Sequence, residues 1–168
     1  MESYSRDSNQ AIVFFGRETK LGIRVVLKQY SGRKNKGIFR ELKMFTLLEQ
    51  IRHDGQEHPD IQQLAHNSLI SDGLPKLLSY KVSRDVSEIL MTNEGKIVEE
   101  WLPEISKEER LIFSLDMLRQ VSYALKKLHD LGFSHGDLKP ENICARRKKD
   151  GSFVFTLIDL GMAARLPK

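Results

Sequence analysis

The stretch from Lys107 to Asp130 constrains this chain more than any other. Leu111, Leu115, Leu118, Val121 or Ser122, Leu125 and Leu128 recur at steps of three and four, the spacing of one helical face. Ser106 stands where an N-cap belongs, and Glu109 completes a capping box. Gly132 falls just past the end, where a left-handed residue closes a helix. Upstream, AIVFFG (11–16) and GIRVVLKQY (22–30) are β-branched and aromatic runs separated by polar residues, which predicts an antiparallel hairpin. A helix is expected over 37–50, with Ile38, Leu42, Phe45, Leu48 and Ile51 on its buried face. Residues 53–73 read as a polar loop with a short helix at 60–66. Strands follow at 76–82 and 87–92. Beyond the long helix come a loop at 134–142, a short strand at 143–145, a basic turn and a strand at 153–158. Strands, helix, strands, long helix and small hairpin together predict an α+β fold in two lobes.

Composition narrows the class. The 168 residues, 40% hydrophobic and 30% charged, have the balance of a soluble globular domain. The single cysteine, Cys144, excludes an intrachain disulfide framework and any multi-cysteine zinc site. No apolar run approaches the roughly 18 residues that span a bilayer. The first ten residues are polar, with no signal-peptide pattern. An intracellular setting, cytoplasmic or nuclear, without membrane attachment is the expectation. The net charge of +4 comes with two basic clusters, Arg33, Lys34 and Lys36, then Arg146, Arg147, Lys148 and Lys149. Both sit beside turn formers and neither is interleaved with aromatics, so they read as solvated loop charge rather than a nucleic-acid surface. His53, His58 and His66 lack metal-ligand spacing and read as loop histidines. Glu99, Glu100, Glu104, Glu108 and Glu109 cluster around Trp101 as a solvated acidic face.

The chemistry concentrates in His135-Gly136-Asp137-Leu138-Lys139-Pro140-Glu141-Asn142, followed by Leu157-Ile158-Asp159-Leu160-Gly161 at the end of an apolar strand. Phosphoryl transfer needs a carboxylate to orient the attacking hydroxyl, oxygen ligands for Mg²⁺ and a cation to meet charge on the transferred group. Asp137 suits the first role, Asn142 with Asp159 the second and Lys139 the third. Upstream, Lys28 ends a hydrophobic strand segment, Val25-Val26-Leu27-Lys28. A lysine facing a core is costly unless paired, and Glu41 on the following helix is its natural partner.

In these motifs, HGDLKPEN, DLG and VVLK, the chain resembles the eukaryotic protein kinase family, in the right order across residues 11–168. The resemblance implies a protein-kinase-like α+β fold. It would comprise a polar segment at 1–10, an antiparallel small lobe with one helix and a hinge at 11–95, and the first part of a helical large lobe at 96–168. It implies ATP and Mg²⁺ as nucleotide and cofactor. A protein substrate or scaffolding partner would complete the set. Lys28 and Glu41 resemble the nucleotide-positioning ion pair. Asp137 resembles the catalytic base, Lys139 its phosphate-facing neighbour, and Asn142 and Asp159 the metal ligands. Val26 and Cys144 stand where the adenine is enclosed, Met91 where the gatekeeper precedes the hinge at 92–95. Phe45, His135 and Leu160 resemble the hydrophobic spine. The segments EILMTNEGKIVEEWL and FVFTLIDLGMAARL are most similar to the casein kinase branch.

Three departures accompany the resemblance. No G-x-G-x-x-G precedes the strand at 11–16. Gly136 replaces the arginine that usually precedes the catalytic aspartate, which suggests control independent of an activation-loop phosphate. The motifs stop after DLG, without the later activation segment, so the helix at 107–130 is expected to show an apolar stripe that is exposed or covered by a partner or a fold adaptation. The leading expectation is transfer of the ATP γ-phosphoryl group to protein Ser/Thr hydroxyls. One alternative is a small-molecule kinase of the aminoglycoside or choline type, favoured by Gly136 and opposed by Lys139-Pro140-Glu141. The other is a catalytically silent kinase-like binding module.

Overall fold

A computed structural model describes residues 6–8, 11–17, 22–31, 36–52 and 73–167. The expected loop and helix within 53–72, with His53, His58 and His66, lie outside the described residues, as do Arg33 and Lys34. The chain divides into two compact units: one runs through the first helix and includes 76–93, and the other contains 73–75 and 94–167.

The first unit is a five-stranded antiparallel sheet with one helix. Strands β1 (Arg6–Ser8), β2 (Ala11–Arg17), β3 (Arg24–Ser31), β4 (Leu77–Lys81) and β5 (Val86–Thr92) lie in the order β1-β2-β3-β5-β4. Helix α1 spans Lys36–Arg52 and packs on β4 and β5. The expected hairpin is β2–β3, with Val13 opposite Lys28 and Phe15 opposite Val26. Its second strand begins at Arg24 rather than 22 because Gly22 adopts φ 66, a left-handed conformation outside a strand. Within the polar segment at 1–10, Arg6–Ser8 pairs with β2 as an edge strand, an element the sequence did not announce. Polarity does not bar a segment from an edge, where one side of the strand stays in water.

Ala11, Tyr30, Ile38, Leu42, Phe45, Ile89 and Met91 form the core of this unit, with Val26 and Leu77 packed against it. Ile38, Leu42, Phe45 and Leu48 of α1 are buried as its periodicity predicts, and Met44 is buried with them. Full burial of Phe45 alone contributes about 2–3 kcal/mol.

The second unit is organised by its long helix. A two-residue strand β6 (Lys96–Ile97) leads into the single-turn helix α2 (Val98–Trp101), then α3 runs from Lys107 to Asp130. Ser106 caps α3: its hydroxyl accepts from the Glu109 N–H at 3.2 Å, and the Glu109 carboxylate accepts from the Ser106 N–H at 3.0 Å. Strand β7 (Phe133–Ser134) follows Gly132, and a 3-10 turn at Pro140–Asn142 precedes β8 (Ile143–Arg147) and β9 (Phe153–Leu157). A second 3-10 turn at Leu160–Met162 leads to β10 (Ala164–Arg165), which pairs with β7, while β6, β8 and β9 form a three-stranded sheet. Strands β6, β7 and β10 fall where no strand was expected. Two residues carry too little periodicity to be seen in sequence.

Helix α3 packs on β9 and β7, and Phe113, Val121, Ala124 and Leu128 are its buried residues. Phe113 meets Phe153 and Phe155 edge to face, with centroids 4.8 and 4.9 Å away, and Trp101 adds an edge contact to Phe153 at 5.0 Å. The Gln120 amide fastens helix to strand, donating to the Phe153 carbonyl at 3.0 Å and accepting from the Phe155 N–H at 3.1 Å. The single apolar stripe expected on α3 is therefore two. Leu111, Leu115 and Leu118 are 67%, 58% and 59% exposed on the side away from Val121 and Leu128. Of the apolar stripe anticipated for the helix, Leu111, Leu115 and Leu118 are exposed, while Val121 and Leu128 are buried. No described helix is long and apolar enough to cross a membrane.

Candidate active site

In the first unit, strand alternation places Val26, Lys28 and Tyr30 on one face of β3. That face is covered by α1, so Lys28 is driven into a nearly dry environment where it is 9% exposed. Glu41, fully buried on α1, answers it: Lys28 Nζ lies 2.7 Å from Glu41 Oε1. The other carboxylate oxygen accepts a hydrogen bond from the Tyr30 hydroxyl. A buried carboxylate is tolerable only with such complete pairing. Val26 lies opposite Met91 in the β3–β5 register, and Lys28 opposite Ile89. The expected ion pair is thus formed, and Val26 and Met91 adjoin it. Sequence reasoning missed Tyr30; its place two residues after Lys28 on the same strand face was the signal.

In the second unit, the loop between β7 and β8 is folded around Asp137. Asn142, buried at the end of the 3-10 turn, donates from Nδ2 to the Asp137 backbone oxygen at 2.8 Å and to its Oδ2 at 3.0 Å. Lys139 Nζ reaches the same Oδ2 at 2.8 Å. The Lys139 contact, aided by Asn142 and opposed by partial burial, holds the Asp137 carboxyl below its usual range. The Lys139 ammonium is correspondingly raised, first by Asp137 and further by the Glu141 and Asp159 carboxylates. Lys139 is exposed and Asp137 half-buried, so this pair organises charge more than it stabilises the fold.

His135 ties the loop to the strand end that carries Asp159. Its Nδ1 accepts from the Asp137 N–H at 3.3 Å, which leaves Nε2 to donate to the Ile158 carbonyl at 2.9 Å. The Ile158 N–H in turn donates to the Asn142 carbonyl at 2.8 Å. These bonds bring Asp137, Lys139 and Asn142 into direct contact and fix the residue before Asp159 against them. Asp159 has φ 64 and ψ 75, and among the described residues it is the non-glycine residue with positive φ. Such conformations cost of order 1–3 kcal/mol and cluster at functional sites. Cys144 is buried on β8, opposite Ile97 and Thr156, and reads as a packed wall residue. His135 and Leu160 are both buried in this unit, and Phe45 is buried in the first.

The departure at Gly136 now has a physical cause. Its φ is 80, and a Cβ built there would lie 2.3 Å from the Met162 carbonyl oxygen. The backbone after Asp159 is held against this glycine by the β7–β10 pairing and by the Leu166 N–H donating to the Gly132 carbonyl at 2.8 Å. No side chain fits at position 136 while that backbone stays in place.

The donor chemistry fits a hard divalent cation such as Mg²⁺. Asn142 spends its amide nitrogen on Asp137, which leaves its oxygen as the donor atom, and Asp159 supplies a carboxylate; both are oxygen ligands of the kind magnesium takes.

Residues 98–166 match the lipopolysaccharide kinase (Kdo/WaaP) family. The chain is 40% identical over 114 residues to the putative ribosomal protein S6 kinase alpha-2 of Caenorhabditis elegans, covering 67% of this chain and 13% of that protein. It is 30% identical over 126 residues to mitogen-activated protein kinase 8 of Oryza sativa subsp. japonica, covering 75% of this chain and 18% of the relative. A probable serine/threonine-protein kinase of Fowlpox virus is 34% identical over 76 residues, 45% of this chain and 24% of its own length. The chain therefore spans less than a quarter of each of these relatives. Taken with the α+β architecture and its antiparallel five-stranded sheet, these matches support placing the chain in the kinase superfamily.

Proposed function

We propose that this chain carries the nucleotide-handling and phosphoryl-transfer groups of a Ser/Thr protein kinase that uses Mg-ATP. The observation that carries the reading is the Asp137–Lys139–Asn142 cluster, whose carboxylate is held below its usual range by the Lys139 cation and the Asn142 amide N–H. Asp137 orients the acceptor hydroxyl and takes its proton. Lys139 meets negative charge on the transferred group. Asn142 and Asp159 would hold Mg²⁺ through oxygen, and bound Mg²⁺ supplies charge neutralisation at the phosphate oxygens. Within the first unit, Lys28, fixed by Glu41, is the cation for the nucleotide phosphates, and Val26 and Met91 are its base-lining residues by the resemblance; in the second unit the resemblance gives Cys144 the same role. The resemblance to the casein kinase branch rests on the two segments flanking the hinge and the DLG motif.

A second reading is favoured by two observations, the match to a lipopolysaccharide kinase family and the glycine at 136: the acceptor is then a sugar or other small-molecule hydroxyl. Transfer of labelled γ-phosphate from Mg-ATP to casein, and in parallel to a sugar acceptor panel, separates the two. The protein-kinase reading expects label on Ser/Thr of casein and a loss of about 10²-fold or more in Asp137→Asn, the scale of general-base catalysis. Labelling of the sugar panel alone selects the second reading. Absence of transfer together with absence of a thermal shift on Mg-ATP selects a silent binding module.

A further inference from the structure

We propose that Tyr30 is a positioning residue that locks Glu41 onto Lys28. The structural part stands by itself; its consequence for nucleotide binding rests on the kinase reading above.

Glu41 is fully buried, and its two oxygens are divided between two donors on one strand. Oε1 faces the Lys28 ammonium at 2.7 Å, and Oε2 accepts from the Tyr30 hydroxyl. Both donors project from the same face of β3 because they are two residues apart. Tyr30 itself is 4% exposed and packs among Ile38, Leu42 and Phe45 of α1. Its ring therefore has little freedom, and its hydroxyl is aimed rather than sampled.

With lysine alone, Glu41 would satisfy one oxygen and leave the other facing apolar side chains, a costly arrangement for a buried anion. Rotation of the carboxylate toward any other partner would relieve that cost and release Lys28. The tyrosine removes the incentive. Any displacement of α1 that carries Glu41 off β3 must break both charge-assisted bonds together. The lock also acts on orientation, since a carboxylate held at both oxygens cannot turn about its terminal bond.

The test uses amine acetylation of the full chain, read peptide by peptide by mass spectrometry. Lys28 is expected to be protected in the unmodified protein. In Tyr30→Phe, acetylation of Lys28 should rise about tenfold, the factor set by losing one hydrogen bond to a charged group. Tyr80→Phe, a change at an exposed tyrosine of β4, should leave it unchanged. Mg-ATP affinity is then followed through a double-mutant cycle. Tyr30→Phe should weaken binding in the unmodified background but have no further effect in Glu41→Gln, which a general packing defect would not reproduce. An unmodified acetylation rate in folded Tyr30→Phe overturns the proposal, as does equal weakening in both backgrounds. Raised acetylation with no Mg-ATP binding by any of the proteins upholds the lock and overturns the nucleotide reading. Independently of any variant, the Tyr30 hydroxyl proton should be slow to exchange and visible by NMR in the unmodified protein. A rapidly exchanging hydroxyl overturns the proposal.

Discussion

Replacing Gly136 by alanine tests whether the catalytic loop and the segment after Asp159 are packed backbone to backbone. Two penalties apply. A Cβ residue at φ 80 carries the left-handed strain of about 1–2 kcal/mol. The Cβ would also sit 2.3 Å from the Met162 carbonyl oxygen, where contacts below 3.0 Å are essentially never seen. Forcing that backbone aside costs roughly 1–3 kcal/mol, the usual scale of overpacking. Alanine stiffens the unfolded chain and returns about 0.4–1 kcal/mol. The expected net loss is about 2–4 kcal/mol. Gly151 supplies the control, since its φ is 85 and nothing lies within 4 Å of its would-be Cβ. Gly151→Ala carries the strain without the collision, so the difference between the two variants isolates the steric term at about 1–3 kcal/mol. Urea denaturation with an unchanged m-value measures both. Equal losses at the two positions, within about 0.5 kcal/mol, would refute the close approach and with it the explanation of why no arginine stands at 136.

Other outcomes follow from the same geometry. Lys28→Met should destabilise the fold by about 3–5 kcal/mol, because it strands the buried Glu41 carboxylate, and adding Glu41→Gln should recover part of that loss in urea titrations. The Asp137 carboxyl, held down chiefly by Lys139, should titrate by ¹³C NMR below the ordinary aspartate value, and Lys139→Met should raise its midpoint. Since the folded value is the lower one, the associated stability is complete above the unfolded value and disappears only as pH falls through the folded one, below about pH 4. Activity near neutrality should therefore show no acid limb from Asp137. Leu128→Ala should cost about 2–5 kcal/mol while Leu115→Ala stays within about 0.5 kcal/mol, since the first is fully buried and the second is exposed. A comparable loss at Leu115 would reverse the assignment of the two faces of α3. Ser106→Ala should cost about 1 kcal/mol by removing the capping box, readable as a lower Tm.

Where sequence and structure agree, the interaction is short-range. The α3 boundaries follow from Ser106, Glu109 and Gly132, all within a few residues of the helix ends. The β2–β3 hairpin and the face of α1 follow from period-two and period-3.6 patterns that a local window holds. The Lys28–Glu41 pair was also legible, because a lysine on a buried strand demands an acid and the next helix offers one on its inner face. The stripe on α3 misled because leucines at 111, 115, 118, 125 and 128 satisfy helical spacing whichever neighbour the helix meets. Only β9, through Phe153 and Phe155, selects Phe113 and Val121 as the inner face. Edge strand β1 was hidden for the opposite reason: hydrogen bonds to β2 need no apolar side chains.

Local pattern, then, determined the elements and nominated the polar residues, since capping, alternation and the cost of burying charge all act on near neighbours in the chain. Tertiary structure alone decided two things: the second donor to Glu41 and the glycine demanded at 136. Each depends on where an atom from another element comes to rest, to within a few tenths of an ångström. Close packing sets that position, and no residue carries it in its type.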